Sequence, residues 1–137
     1  MDAVTIISQA RKYVGTPFHH QGRSKRGLDC VGLIARVAKD LGLSEYDFLQ
    51  YDRIPNPLLF MSILRSCPDW DRVPLQEMRE GDVLIFKLSS YPCHLAFLAT
   101  EGRIIHALSL RGRVCEHRLS SDWRRKIRDC FRFKGVV

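Results

Sequence analysis

The chain has 137 residues, 45% of them hydrophobic and 27% charged, with a net charge of +7. That length suits a single domain, residues 1–137, large enough to bury a core without metal or disulfide support. Its five cysteines (Cys30, Cys67, Cys93, Cys115, Cys130) are odd in number and form no C-x-x-C pair, which argues against a disulfide framework or a zinc knuckle.

Met1-Asp2-Ala3-Val4-Thr5 lacks the basic segment, apolar stretch and small-residue site of a signal peptide. The expectation is a protein that is cytoplasmic when made and that, if it acts outside a cell, is carried there by something other than its own leader. Asp2 caps a first helix whose apolar positions Ile6, Ile7, Ala10, Tyr13 and Val14 follow the helical period. Gly15-Thr16-Pro17 ends it, and residues 15–29 read as a loop rich in Gly, His and basic groups. Asp29 caps a second helix with Val31, Ile34, Val37, Ala38 and Leu41 on one face, closed by Gly42. Asn56-Pro57 opens a third helix through Cys67.

After Pro74 the pattern changes to strands. Glu80-Gly81-Asp82 is a turn into Val83–Phe86; His94–Thr100 and Arg103–Ser109 form a hairpin around Glu101-Gly102. Arg111-Gly112 turns into Val114–Leu119, and Ile127–Lys134 is the last strand. The apolar runs Val83–Phe86 and Leu95–Ala99 are far too short to span a membrane. Helices first and an antiparallel sheet second make the fold class α+β.

Cys30 stands where the loop becomes the second helix, in Gly27-Leu28-Asp29-Cys30-Val31-Gly32-Leu33-Ile34. A helix start carries partial positive charge and free N–H groups, which favour the nucleophilic thiolate. A thiol hydrolase also needs an imidazole and a polar group that fixes the ring. Alternation puts His94, Ala96 and Leu98 on one face of their strand, and Ile104, His106 and Leu108 on one face of the next. If those faces coincide, His94 acts on the thiol while His106 holds its other ring nitrogen. A single cysteine is more often a small buried hydrophobe, and a single strand histidine a satisfied core residue. The three together point to nucleophilic catalysis.

Cys93 is the rival nucleophile, but it should face away from its neighbour His94. Cys67, Cys115 and Cys130 read as packing residues. His19, His20 and His117 suggest a metal, yet no carboxylate or thiol stands at a recognisable ligand spacing, so no metal and no cofactor are expected.

Gly15-Thr16-Pro17-Phe18, Gly22 through Leu33, and Glu80-Gly81-Asp82-Val83-Leu84-Ile85-Phe86 together resemble the NlpC-type cell-wall cysteine peptidases. So do Cys93-His94-Leu95-Ala96 and Ile104-Ile105-His106-Ala107, whose histidines are twelve residues apart as in that family. The resemblance runs from the first helix to at least Ser109. It implies a minimal papain-like fold, with Cys30 as nucleophile, His94 as base and His106 as the orienting third residue. It also implies a peptidoglycan stem peptide as substrate, cut between the γ-carboxyl of D-glutamate and a diamino acid.

Three departures qualify the substrate site. Phe18 replaces the family's usual tyrosine, so either His19, His20 or Gln21 supplies the missing donor, a backbone N–H suffices, or activity is weakened. Val31 replaces a serine that contacts substrate. Asp29 is kept, and besides capping its helix it can accept a hydrogen bond from a stem-peptide amine. Third, the usual wall-targeting domains are absent. With that compactness, His19-His20-Gln21 resembles the subgroup found in phage and prophage tail modules, which implies phage tail proteins as partners and delivery to the cell wall by a phage particle or lysis.

The second function class is binding without catalysis. From Glu101 to Val137, ten Lys/Arg stand against four Asp/Glu, a balance of +6. Such a face suits an anionic polymer, a nucleic acid or simply water. Trp123, Phe131 and Phe133 among these charges suggest base stacking, but Phe131 and Phe133 alternate with the charges and are expected in the core, so no nucleic acid is expected. A catalytically weak or inactive tail-assembly part with a basic face is the alternative to the enzyme.

Overall fold

The computed structural model describes residues 1–89, 91 and 93–137. Asp2 accepts the N–H of Thr5 at 3.0 Å and starts α1 (Ala3–Arg11), which buries Ile6, Ile7 and Ala10. The helix stops three residues short of Val14. Tertiary pairing ends it: Gly15, at φ +94°, donates its N–H to Val114, and Val114 donates back to Thr16. The expected loop 15–29 contains a small hairpin of β1 (Arg23–Ser24) and β2 (Gly27–Leu28). Strands of two residues carry no periodicity to read.

Asp29 then caps α2 (Cys30–Asp40), and Asn56 caps α3 (Pro57–Arg65) with Pro57 at its first position. Cys67 lies in the closing turn after α3, outside the helix. Next comes β3 (Trp70–Arg72), which the sequence did not announce because three residues again show no alternation. It exists through pairing: Trp70 lies opposite Phe133 and stacks on Phe131 at 4.7 Å between ring centroids.

The remaining elements are β4 (Val83–Phe86), β5 (His94–Leu98), β6 (Arg103–Leu108), β7 (Arg113–Arg118), a short α4 (Ser121–Arg124) and β8 (Ile127–Phe133). The larger sheet has six antiparallel strands in the order β3-β8-β4-β5-β6-β7. Between β5 and β6 the expected turn is present: Glu101 and Gly102 take φ of 57° and 66°. Two successive left-handed residues match the twist of a tight hairpin.

The sheet separates two apolar clusters. Val83, Ile85, Leu95, Phe97, Ile105 and Ala107 face the helices, packing against Ile6, Leu33, Val37 and Phe60. Leu84, Phe86, Ala96, Leu98 and Ile104 line the opposite face, where Trp123 of α4 packs. Phe131 and Phe133 are buried, as expected from their alternation with arginines, and are closed to base stacking. Several C-terminal arginines are committed to carboxylates: Arg132 binds Asp82 at 2.7 Å and Arg103 binds Glu116 at 3.0 Å. No helix among the described residues is long and apolar enough to cross a membrane.

Candidate active site

The N-terminus of α2 is locked before it presents anything. The Asp29 carboxylate accepts the N–H of Gly32 (2.8 Å), the N–H of Gln21 (2.7 Å), an Arg23 guanidinium N–H (3.1 Å) and the Tyr51 hydroxyl (2.5 Å). Glycines let the loop come this close. A Cβ on Gly32 would stand 2.0 Å from the Gly22 carbonyl oxygen, and one on Gly22 would stand 2.3 Å from that of Gly27.

Cys30 follows at the first turn, 2% exposed, on the wall of a cavity of about 280 Å³. The same wall carries His94, Phe18, His20, Tyr91 and Arg53. The backbone N–H of Leu95 and the Tyr91 hydroxyl act on the sulfur in favour of its thiolate. Burial outweighs them, and with the Asp29 carboxylate alongside it pushes the Cys30 thiol up to about 12. That shift runs against the low-pKa thiol expected of a helix start. The partial charge of a helix end is worth about 1 kcal/mol, less than the cost of a fully desolvated thiolate.

His94 and His106 do share a face, on the side of the sheet that carries Trp123. His94 Nε2 lies 2.6 Å from His106 Nδ1, and both rings are buried. Burial, and then the charge of His117, hold His94 down at about 3; burial and the neighbouring His94 and His117 hold His106 at about 2. Both shifts favour the neutral forms of the thiol and the imidazole. Cys93 sits on the opposite face and packs in the helix-side core, its thiol 3.9 Å from the Pro57 carbonyl.

The expected substrate contacts are placed differently: Asp29 and Phe18 line the cavity, and Val31 does not. Asp29 is 1% exposed and its acceptor positions are filled by protein donors, so a stem-peptide amine would have to displace one of them. Val31 is 4% exposed and belongs to the helix-side core, because the residue after Cys30 is turned about 100° around the helix axis. Phe18 does line the cavity. Of the three residues proposed to replace its lost hydroxyl, His20 reaches the cavity. Gln21 instead donates its amide to the Leu49 and Tyr51 carbonyls, and His19 is exposed with its Nδ1 by the His20 carbonyl.

Sequence reasoning missed Tyr91, Arg53 and His117. Nothing in the loop before β5 marks Tyr91 as a residue that touches the thiol. His117 had a signal: the β6–β7 register pairs His106 with Cys115 and Ile104 with His117, so all four side chains share a face. His106, Cys115 and His117 bring three possible metal-binding atoms within 4.8 Å of one another. The His106 and His117 Nε2 atoms, however, are 2.7 Å apart. That is a hydrogen-bond distance; two nitrogens on one tetrahedral zinc stand roughly 3.3 Å apart.

Residues 15–132 match the NlpC/P60 family. The chain belongs to that family. Members of the NlpC/P60 family are cysteine peptidases that hydrolyse peptidoglycan. The chain is 26% identical over 117 residues to the probable endopeptidase NlpC of Escherichia coli (strain K12), covering 81% of this chain and 68% of that protein. It is 28% identical over 115 residues to a probable endopeptidase of Haemophilus influenzae, covering 82% of this chain and 63% of the relative, so it spans less than two thirds of that protein's length. In three dimensions it is similar to the NlpC/p60 domain of the peptidoglycan hydrolase SagA, with a TM-score of 0.66 at 18% identity, covering 97% of this chain and all of that one. The α+β fold is thereby the papain-like fold of NlpC/P60 domains.

Proposed function

We propose that this NlpC/P60 domain cuts peptidoglycan stem peptides between the γ-carboxyl of D-glutamate and a diamino acid, with Cys30 as nucleophile, His94 as general base and His106 as orienter. The observation that carries this is the pairing at one cavity: a thiol at a helix start and an imidazole whose far nitrogen is tied to a second imidazole at 2.6 Å. The names of its relatives as endopeptidases support it.

Because both groups favour their neutral forms, His94 takes the thiol proton as sulfur attacks the carbonyl, not in advance. The oxyanion is met by the backbone N–H of Cys30 at the helix start and by the Tyr91 hydroxyl, which stands in for the one Phe18 lacks. His94 returns its proton to the leaving amine, and water hydrolyses the thioester. Arg53, exposed on the cavity wall, supplies a cation for a stem-peptide carboxylate. A place in phage tail modules is part of the same proposal, supported by the His19-His20-Gln21 stretch. Mass spectrometry of purified tail particles would find the chain in them, and its consistent absence would refute that part.

Mass spectrometry of muropeptides tests the activity and locates the bond. The wild-type chain is expected to release stem-peptide fragments, with Cys30→Ala and His94→Ala each lowering the rate by at least about 10³-fold. Intact muropeptides with the wild-type chain would refute the proposal, as would equal release by Cys30→Ala.

A further inference from the structure

A line of three imidazoles runs from the cavity to the surface. His94 Nε2 is 2.6 Å from His106 Nδ1, His106 Nε2 is 2.7 Å from His117 Nε2, and His117 Nδ1 is 2.9 Å from the carbonyl oxygen of Arg118. A carbonyl oxygen only accepts, so His117 Nδ1 carries hydrogen. In the neutral ring His117 Nε2 is then an acceptor, and His106 Nε2 must donate to it. His106 Nδ1 is left with a lone pair, so His94 Nε2 donates in turn. The remaining nitrogen, His94 Nδ1, keeps its lone pair for the cavity that also holds the Cys30 thiol.

The outer end is what decides. An ionised carboxylate in place of His106 would offer His94 only acceptor atoms whatever lay behind it. A histidine has two neutral forms, and either satisfies the His94–His106 hydrogen bond. With the reverse form, His94 carries hydrogen on Nδ1 and has no lone pair for the thiol. Within the pair, nothing selects between them. Trp123 packs against the line, its ring 5.1 Å from that of His106 and 5.4 Å from that of His117.

We propose that His117 is a positioning residue that sets the tautomer of the His94–His106 pair and so keeps the His94 Nδ1 lone pair available to Cys30. This rests on the assignment of His94 as base, but its test does not need peptidoglycan. In long-range proton–nitrogen spectra of the ¹⁵N-labelled chain at pH 8, His94 and His106 are expected to carry hydrogen on Nε2 and His117 on Nδ1. Hydrogen on His94 Nδ1 would overturn the proposal, and this measurement needs no variant to fold.

Variants then separate tautomer control from packing. His117→Phe keeps a ring but accepts nothing; mixed His94 tautomers and a Cys30 alkylation rate lower by about 10-fold are expected. His117→Glu restores a group that only accepts from His106, and the rate should return to within about 3-fold of wild type. In a His106→Asp background the carboxylate can only accept from His94, and His117→Phe should change the rate by less than about 2-fold. An equal loss in both backgrounds would assign His117 a packing role instead. Expected tautomers without muropeptide release would sink the peptidase proposal alone; release with the opposite tautomers would sink this one alone.

Discussion

The Cys30 thiol sits between opposing influences: helix-start N–H groups, the Leu95 N–H and the Tyr91 hydroxyl on one side, desolvation and the Asp29 carboxylate on the other. The second set wins, which makes the pH dependence of its reactivity diagnostic. With the thiol near 12 and His94 near 3, a preformed thiolate–imidazolium pair is not the resting state at neutral pH. Alkylation of Cys30 by iodoacetamide is expected to climb steadily above pH 8. A flat rate from pH 6 upward would mean that the ion pair exists before substrate arrives. Tyr91 belongs to the same balance, because it is the side-chain hydroxyl on the sulfur. Tyr91→Phe should lower the turnover rate by about 10- to 100-fold with little change in KM, the pattern of a donor used mainly in the transition state. Loss confined to KM would place Tyr91 in substrate binding instead.

At the level of elements, the start of α2 is held less by the helix than by the loop folded over it. Asp29 gathers donors from the helix, the loop, Arg23 and Tyr51, while Arg23 goes on to Asp47 and the Phe48 carbonyl. Removing a buried, paired carboxylate strands the cation and several donors at once, which costs about 3–5 kcal/mol. Asp29→Ala should therefore lower the urea midpoint markedly, and a loss under about 1 kcal/mol would show the network to be dispensable. Much of this element was legible. Asp29 announced its cap, Asn56-Pro57 announced α3, and Glu101-Gly102 announced the hairpin that brings His94 to His106. What stayed hidden depends on pairing that no local pattern records. β3 is three residues long and exists because Phe131 and Phe133 receive it. Val31 looked like a substrate contact from its place beside Cys30, yet helical rotation sends neighbours in sequence to different surroundings. His117 was grouped with His19 and His20, because its true partner is set by the register of β7 against β6.

Across the whole molecule, the six-stranded sheet sends its two buried histidines to the face opposite the helices, where Phe86 and Trp123 surround them with apolar rings. That arrangement ties the stability of the domain to pH. His94 and His106 titrate at about 3 and about 2 in the folded chain, against 6.5 when exposed. Above pH 6.5 both states leave these imidazoles neutral, and the fold is unaffected. Below it the unfolded chain binds protons that the folded chain refuses, so stability falls as pH falls. Each imidazole contributes about 1.4 kcal/mol per pH unit, giving roughly 2–3 kcal/mol per unit for the pair. The paired carboxylates Asp40 and Glu116, whose pKa values are lowered on folding, lose their stabilisation only below their ordinary values of 3.8 and 4.5, so they do not share this window. Urea unfolding between pH 7.5 and 5 should show a flat region, then a steep decline below about pH 6.5. His106→Gln should roughly halve that slope, since one of the two reluctant imidazoles is gone. A stability that is level down to pH 5 would mean that His94 and His106 accept a proton in the folded state.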